Sequence, residues 1–135
     1  MEINKLYNGD ILEMFSKTPD NFVDLIVTSP PYNVGIEYDS WEDTLNSEKY
    51  YDWCKNWLLE SYRTLKDDGR IAINIPYEVN MYEGGGRQFI SSDYWQIMKE
   101  VGFKFFGLAH LDEPASHRNK TTAWGSWMSA SGPYI

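Results

Sequence analysis

The chain carries 135 residues, 42% of them hydrophobic and 24% charged, the composition of one soluble globular domain with a core of its own. Twelve basic against twenty acidic residues leave a net charge of −8, a poor balance for gripping a nucleic-acid duplex unaided. The single cysteine, Cys54, excludes an intrachain disulfide and fits a reducing cytoplasm, no apolar run is long enough to span a membrane, and Met1-Glu2-Ile3-Asn4-Lys5 lacks the apolar core of a signal peptide.

In chain order, Asn4 to Tyr7 predicts a short strand, broken by the turn pair Asn8-Gly9. Asp10 stands where a helix N-cap belongs, ahead of the apolar Ile11, Leu12, Met14 and Phe15. Thr18-Pro19-Asp20-Asn21 is a turn. Phe22-Val23-Asp24-Leu25-Ile26-Val27 reads as a buried strand, rich in β-branched residues, with Asp24 near its solvent-facing start. Pro30 and Pro31 end it, because neither can donate a ladder hydrogen bond. Asn33 to Asn46 sustains no period, the pattern of a lid or binding loop. Tyr38 and Trp41 within it suit packing on a substrate and packing the loop down equally well.

From Ser47 to Leu65 the pattern turns helical, with Tyr50, Cys54, Trp57, Leu58, Ser61, Tyr62 and Leu65 on one stripe. That makes Cys54 a packing residue and not a nucleophile. Gly69, in Lys66-Asp67-Asp68-Gly69, suits the left-handed position that closes such a helix. Arg70 to Ile75 is a second buried strand, closed by Pro76, and strand, helix and strand make a parallel, right-handed βαβ unit. Asn74, polar in an apolar strand, requires a partner.

Tyr77 to Gly86 reads as irregular, and Gly84-Gly85-Gly86 lacks the Lys-Ser/Thr of a phosphate-binding loop, so it is taken as a flexible connection. Ser91 or Ser92 caps a helix whose stripe is Tyr94, Ile97, Met98 and Val101. Gly102 ends it, and Phe103 to Leu111 reads as a third buried strand. His110 has no Cys or His at a useful spacing, so no metal site is expected. His117-Arg118-Asn119-Lys120-Thr121-Thr122 is the most basic patch and leads into Ala123-Trp124-Gly125-Ser126-Trp127. Positive charge beside rings suits a phosphate and an unstacked base; an exposed turn followed by a half-buried strand explains the residues as well.

Thr28-Ser29-Pro30-Pro31-Tyr32-Asn33 asks for a more specific explanation. The prolines fix φ and aim the carbonyls of Ser29 and Pro30 rigidly, with a hydroxyl before them and an aromatic ring after. Those oxygens suit the two hydrogens of an exocyclic NH2, and the ring suits its plane. A proline-stiffened loop is the plainer reading of the residues alone. The six residues resemble the catalytic motif of DNA methyltransferases that modify an exocyclic amino group: Asp, Asn or Ser, then Pro-Pro, then an aromatic residue. The order of segments resembles the β-class, in which the catalytic half precedes the S-adenosylmethionine half. The resemblance runs through nearly the whole chain.

It implies a Rossmann-like α/β methyltransferase fold, present in part, with a mostly parallel sheet and helices on its faces, residues 1–135 being the catalytic part. It implies catalytic roles for Ser29, Pro30, Pro31 and Tyr32, S-adenosyl-L-methionine contacts from Asp10, Ser29 and Pro30, and a flipped-base pocket bordered by Asn33, Trp124 and Ser126. The substrate it implies is double-stranded DNA for the complete enzyme, in a prokaryotic or phage cytoplasm and a restriction-modification system. Ser29 in the first position leans toward N4 of cytosine, with N6 of adenine as the alternative. One departure stands out: the Phe-x-Gly-x-Gly loop that follows the catalytic region in the β-class is absent, and the target-recognition region with it. The chain is therefore expected to be a fragment or one polypeptide of a split enzyme. It is expected to need a C-terminal half or second subunit, to transfer no methyl alone, and to be prone to self-association through uncovered apolar surface. The rival from another class is a non-catalytic binding or assembly domain that kept the fold. A protein or RNA amino-group methyltransferase is a third reading, against which the segment order speaks.

Overall fold

The computed structural model describes residues 2–39, 41–82 and 87–111. Met1–Lys104 is one unit and Phe105–Ile135 a second. All regular elements among the described residues belong to the first.

Ile11–Ser16 forms helix α1 with Asp10 as its N-cap, its Oδ1 accepting the N–H of Leu12 at 2.9 Å and of Glu13 at 3.4 Å. Asn4 to Tyr7, expected as a strand, is not one. Asn4 is left-handed (φ 57°) and Leu6 is 99% exposed, so this segment lacks strand geometry at its start and, among the described residues, pairs with no strand.

Val23–Thr28 is strand β1, Ser47–Thr64 helix α2 and Leu65–Ile73 strand β2. β1 and β2 pair in parallel, which completes the expected strand-helix-strand unit. α2 also holds α1: Arg63 donates to the carbonyls of Phe15 at 2.8 Å and Thr18 at 3.0 Å, satisfying acceptors that a helix end leaves open. A six-residue helix needs such tertiary support.

α2 does not end at Gly69. It stops at Thr64, and Leu65 turns straight into the sheet with extended backbone (φ −68°, ψ 143°). Val23 pairs with Leu65 but Leu25 with Arg70, so Lys66 to Gly69 bulge out of β2. Gly69 is required for a different reason from the expected one. A Cβ there would come within 2.9 Å of the Lys66 carbonyl, so the tight bulge and not a left-handed φ excludes a side chain.

The core lies on one face of the sheet, where Tyr50, Cys54, Trp57, Leu58, Met81, Ile90 and Tyr94 cluster with Ile71 and Ile73 packed against them. The opposite face is open: Leu25 is 57% and Val27 71% exposed. β1, expected as a buried strand, is therefore buried on one face only among the described residues, in keeping with the expectation that a partial fold leaves sheet surface uncovered. Parallel strands are normally covered twice, and here they are covered once.

Val79–Asn80 and Arg87–Gln88 are strands β3 and β4, paired antiparallel, where an irregular stretch was expected. Gly84-Gly85-Gly86 lies outside the described residues. Helix α3 spans Ile90–Val101 and ends, as expected, on a left-handed Gly102 (φ 118°). Its N-cap is Phe89, without a side-chain bond; Ser91 instead donates its hydroxyl to the Tyr77 carbonyl at 3.2 Å, tying the helix start to the segment before β3. Phe103 to Leu111, expected as a buried strand, has no regular structure, and Phe105, Phe106, Leu108 and Leu111 are exposed.

Candidate active site

Parallel strands bring their carboxyl ends side by side, the usual place for a ligand crevice in an α/β sheet. Here the Asn74 N–H, just past β2, donates to the Thr28 carbonyl at 2.8 Å. From that point the chain leaves β1 through Ser29, which is exposed, Pro30, which is buried, and Pro31 and Tyr32, which are half-buried. The Ser29 Oγ lies 2.7 Å from the phenol oxygen of Tyr32. The phenol donates to the Asn74 carbonyl at 3.0 Å. Asn74 thus serves the site with its backbone. Its side chain is exposed, where water can supply the partner its polarity calls for.

Behind the motif runs a buried chain of hydroxyls. Tyr50, on α2, donates to the Pro31 carbonyl at 2.8 Å. The Tyr94 hydroxyl of α3 lies 3.0 Å from Tyr50, and the Cys54 thiol donates to Tyr94 at 3.3 Å. Each group has one proton to give, so the bonds run one way: Cys54 to Tyr94 to Tyr50 to Pro31. Burial pushes the Cys54 thiol up to about 11 and lifts Tyr50 and Tyr94 above the ordinary tyrosine range. The thiol is therefore protonated and inert at neutral pH. By contrast, no group among the described residues donates to the Pro30 carbonyl.

The loop after the motif is built around two residues. Asn33 is left-handed (φ 59°) and fully buried; its amide donates to the Leu45 carbonyl at 2.6 Å and accepts the Leu45 N–H at 2.8 Å. The buried carboxylate of Asp43 accepts the backbone N–H groups of Asn33 and Val34 at 2.9 Å and of Ile36 at 3.0 Å. Sequence reasoning placed Asn33 at a base pocket and missed Asp43. In this structure Asn33 braces the loop, its side chain engaged with the Leu45 backbone. Asn33 and Gly35 as left-handed turn residues were the one available signal for Asp43. Trp41 packs the loop down, its ring centroid 4.3 Å from that of Trp53 on α2. A hollow of about 530 Å³ opens between residues 35–39 and 41–44; Tyr38 and Trp41 line it, and none of the residues expected for catalysis, cofactor or base pocket does.

The Asp10 carboxylate makes its hydrogen bonds within the first turn of α1, through Oδ1 only. Trp124 and Ser126, and the basic patch His117 to Thr122, lie outside the described residues. Among the described residues no group of three His, Cys, Asp or Glu side chains can hold a metal ion.

A family model described as DNA methylase, covering N6 and N4 methyltransferases, matches residues 23–126. The chain belongs to the DNA methylase family. Among its DNA methylase relatives is the type II methyltransferase M.MjaVI of Methanocaldococcus jannaschii, 44% identical over 130 residues, which are 96% of this chain and 63% of that protein. Among solved structures, the PvuII DNA methyltransferase, cytosine-N4-specific, is 25% identical with a TM-score of 0.55 over 84% of this chain and 42% of that one. A putative DNA modification methylase of Thermus thermophilus, in complex with S-adenosyl-L-methionine, shares the fold at a TM-score of 0.53 and 23% identity, over 78% of this chain and 47% of that one. The expected methyltransferase fold is thus the observed one, present in part: the chain spans 63% of M.MjaVI and about two fifths of the PvuII enzyme.

Proposed function

We propose that the chain is the catalytic part of an enzyme that moves a methyl group from S-adenosyl-L-methionine to N4 of a cytosine flipped out of double-stranded DNA, within a restriction-modification system. The observation that carries this reading is the Ser29–Pro30 pair, an exposed hydroxyl held by Tyr32 beside a carbonyl that no described residue satisfies. An exocyclic amino nitrogen is a poor nucleophile because its lone pair is delocalised into the ring. Two acceptors that take both N–H bonds draw the nitrogen toward tetrahedral geometry and release that lone pair. The Tyr32 ring, fixed at its phenol end, offers a face against which the flipped base rests. Pro31 keeps Pro30 extended, and its own carbonyl is already engaged by Tyr50, which leaves the Pro30 carbonyl as the one to meet substrate.

The residues present fit the methyl donor. Asp10 has spent one carboxylate oxygen on α1, and the other is free among the described residues to accept an N–H from the donor's adenine. When bound, S-adenosyl-L-methionine supplies an electrophilic methyl on a sulfonium. The protein's part is to hold the two reacting atoms in line, which is chiefly a matter of positioning. Trp124 and Ser126 complete the base pocket in this reading. Ser29 in the first motif position supports cytosine over adenine, as does the likeness to a cytosine-N4-specific enzyme.

The 135 residues carry no Phe-x-Gly-x-Gly segment and are expected to transfer no methyl by themselves. The test measures transfer of labelled methyl to mixed-sequence DNA by the full-length protein (these 135 residues together with the further part or subunit this reading requires), by its Ser29→Ala variant and by residues 1–135 alone. Full-length protein is expected to label DNA, Ser29→Ala to lower kcat roughly ten- to hundredfold through one lost hydrogen bond, and residues 1–135 to give background. Wild-type rate from Ser29→Ala removes the hydroxyl from the site. Transfer by residues 1–135 removes the need for the rest.

A further inference from the structure

We infer that Tyr32 sets the direction of the Ser29 hydroxyl hydrogen and so makes the site choose bases that carry an amino group over bases that carry a carbonyl at the same position. The inference rests on the reading above. The Asn74 carbonyl can only accept, and the Tyr32 phenol donates to it at 3.0 Å. That commits the phenol's one proton. The Ser29 oxygen lies 2.7 Å from the phenol oxygen. With the phenol proton already committed, Ser29 must be the donor of that bond. Its hydrogen points at Tyr32, and only lone pairs face outward.

A lone pair meets an N–H favourably and a C=O unfavourably. Cytosine and uracil differ at ring position 4 by an amino group in place of a carbonyl, with little change in size. A serine with a free hydroxyl can turn its hydrogen outward and serve either base. The Tyr32–Asn74 pair removes that choice, and the Pro30 carbonyl is an obligate acceptor beside it. The relay is built on the β1–β2 register, since the Asn74 carbonyl is located by its own N–H bond to Thr28 at 2.8 Å. Tyr32 is on this view a positioning residue through its hydroxyl, in addition to the ring it offers a base.

The test uses the full-length protein and the DNA site it methylates, mapped from a random-sequence pool treated with wild type. Two duplexes carry cytosine or uracil at the target position, with the opposite strand unchanged; adenine and hypoxanthine serve if the mapped base is adenine. Equilibrium binding gives an amino-over-carbonyl ratio for each variant. The easier flipping of a mispaired base is common to all variants and cancels between them. Tyr32→Phe keeps the ring and is expected to lower the ratio roughly tenfold or more, the scale of one unsatisfied hydrogen bond. Adding Ser29→Asp, whose carboxylate has no hydrogen to turn outward, is expected to restore it. In a Ser29→Ala background Tyr32→Phe is expected to change the ratio no further. Tyr32→Met provides a second phenol-free variant should Tyr32→Phe not fold. Equal losses of affinity for both duplexes, with the ratio unchanged, would show that Tyr32 only packs and would overturn the inference alone. If wild type methylates no base in the pool, the functional reading fails first and this inference falls with it.

Discussion

Tyr50 does for Pro31 what Tyr32 does for Ser29: each phenol fixes one polar group of the motif by a single hydrogen bond. Removing the Tyr50 hydroxyl leaves the Pro31 carbonyl without its donor and Tyr94 without its acceptor in a buried place. Tyr50→Phe is therefore expected to cost about 1–3 kcal/mol of stability, read from urea unfolding of the full-length protein. No change within error would mean that water replaces the phenol there. Ser29, Pro30, Pro31 and Tyr32 were legible in the sequence because two prolines after a strand dictate geometry whatever surrounds them. Tyr50 was not legible in this role. On its helix it reads as one more core aromatic, and its partner lies nineteen positions earlier, in a loop whose path no local pattern fixes. Asp43 was hidden for the same reason. A carboxylate that gathers three backbone N–H groups looks, in sequence, like any acid in an irregular stretch.

At the scale of elements, β1, α2, β2 and α3 were legible, because hydrophobic periodicity and a glycine C-cap are local signals. The parallel pairing of β1 with β2 was legible too, and what failed were details that a neighbour imposes. Phe103 to Leu111 has a strand's composition but no strand conformation, and Gly69 was misread as the cap of α2 because the bulge at Lys66–Gly69 is imposed by pairing with β1. The α2–α3 interface makes a prediction of its own through Cys54, whose ordinary value near 9.0 is raised to about 11 by burial. A raised acid holds its proton longer in the folded chain than in the unfolded one. Between about pH 9 and 11 the unfolded state has released a proton that the folded state still binds, so rising pH favours unfolding. Buried Tyr50 and Tyr94 are shifted the same way and extend the effect upward. The urea midpoint is expected to hold steady up to about pH 9 and fall above it, with a smaller fall in Cys54→Ala. A midpoint that stays flat through pH 11 would contradict the buried, protonated thiol.

For the whole molecule, the α/β class and the family followed from the order of segments and one six-residue motif, and a family match over residues 23–126 bears that out. The net charge of −8 argues against tight duplex binding by these residues alone, which accords with a chain covering 63% of M.MjaVI. The open face at Leu25 and Val27 is apolar contact surface of the kind that self-association or a covering segment uses. Among the described residues no helix is long and apolar enough to cross a membrane. Everything proposed for the site reduces to one chemical statement: its two acceptors await an amino nitrogen, not a ring carbon. Incubating the full-length protein with labelled S-adenosyl-L-methionine and mixed-sequence DNA, digesting the DNA to nucleosides and identifying the labelled one tests that statement directly. N4-methylcytosine is the expected product. N6-methyladenine would keep the clamp and refute the choice of cytosine, and label in 5-methylcytosine, or in no nucleoside, would contradict the clamp itself.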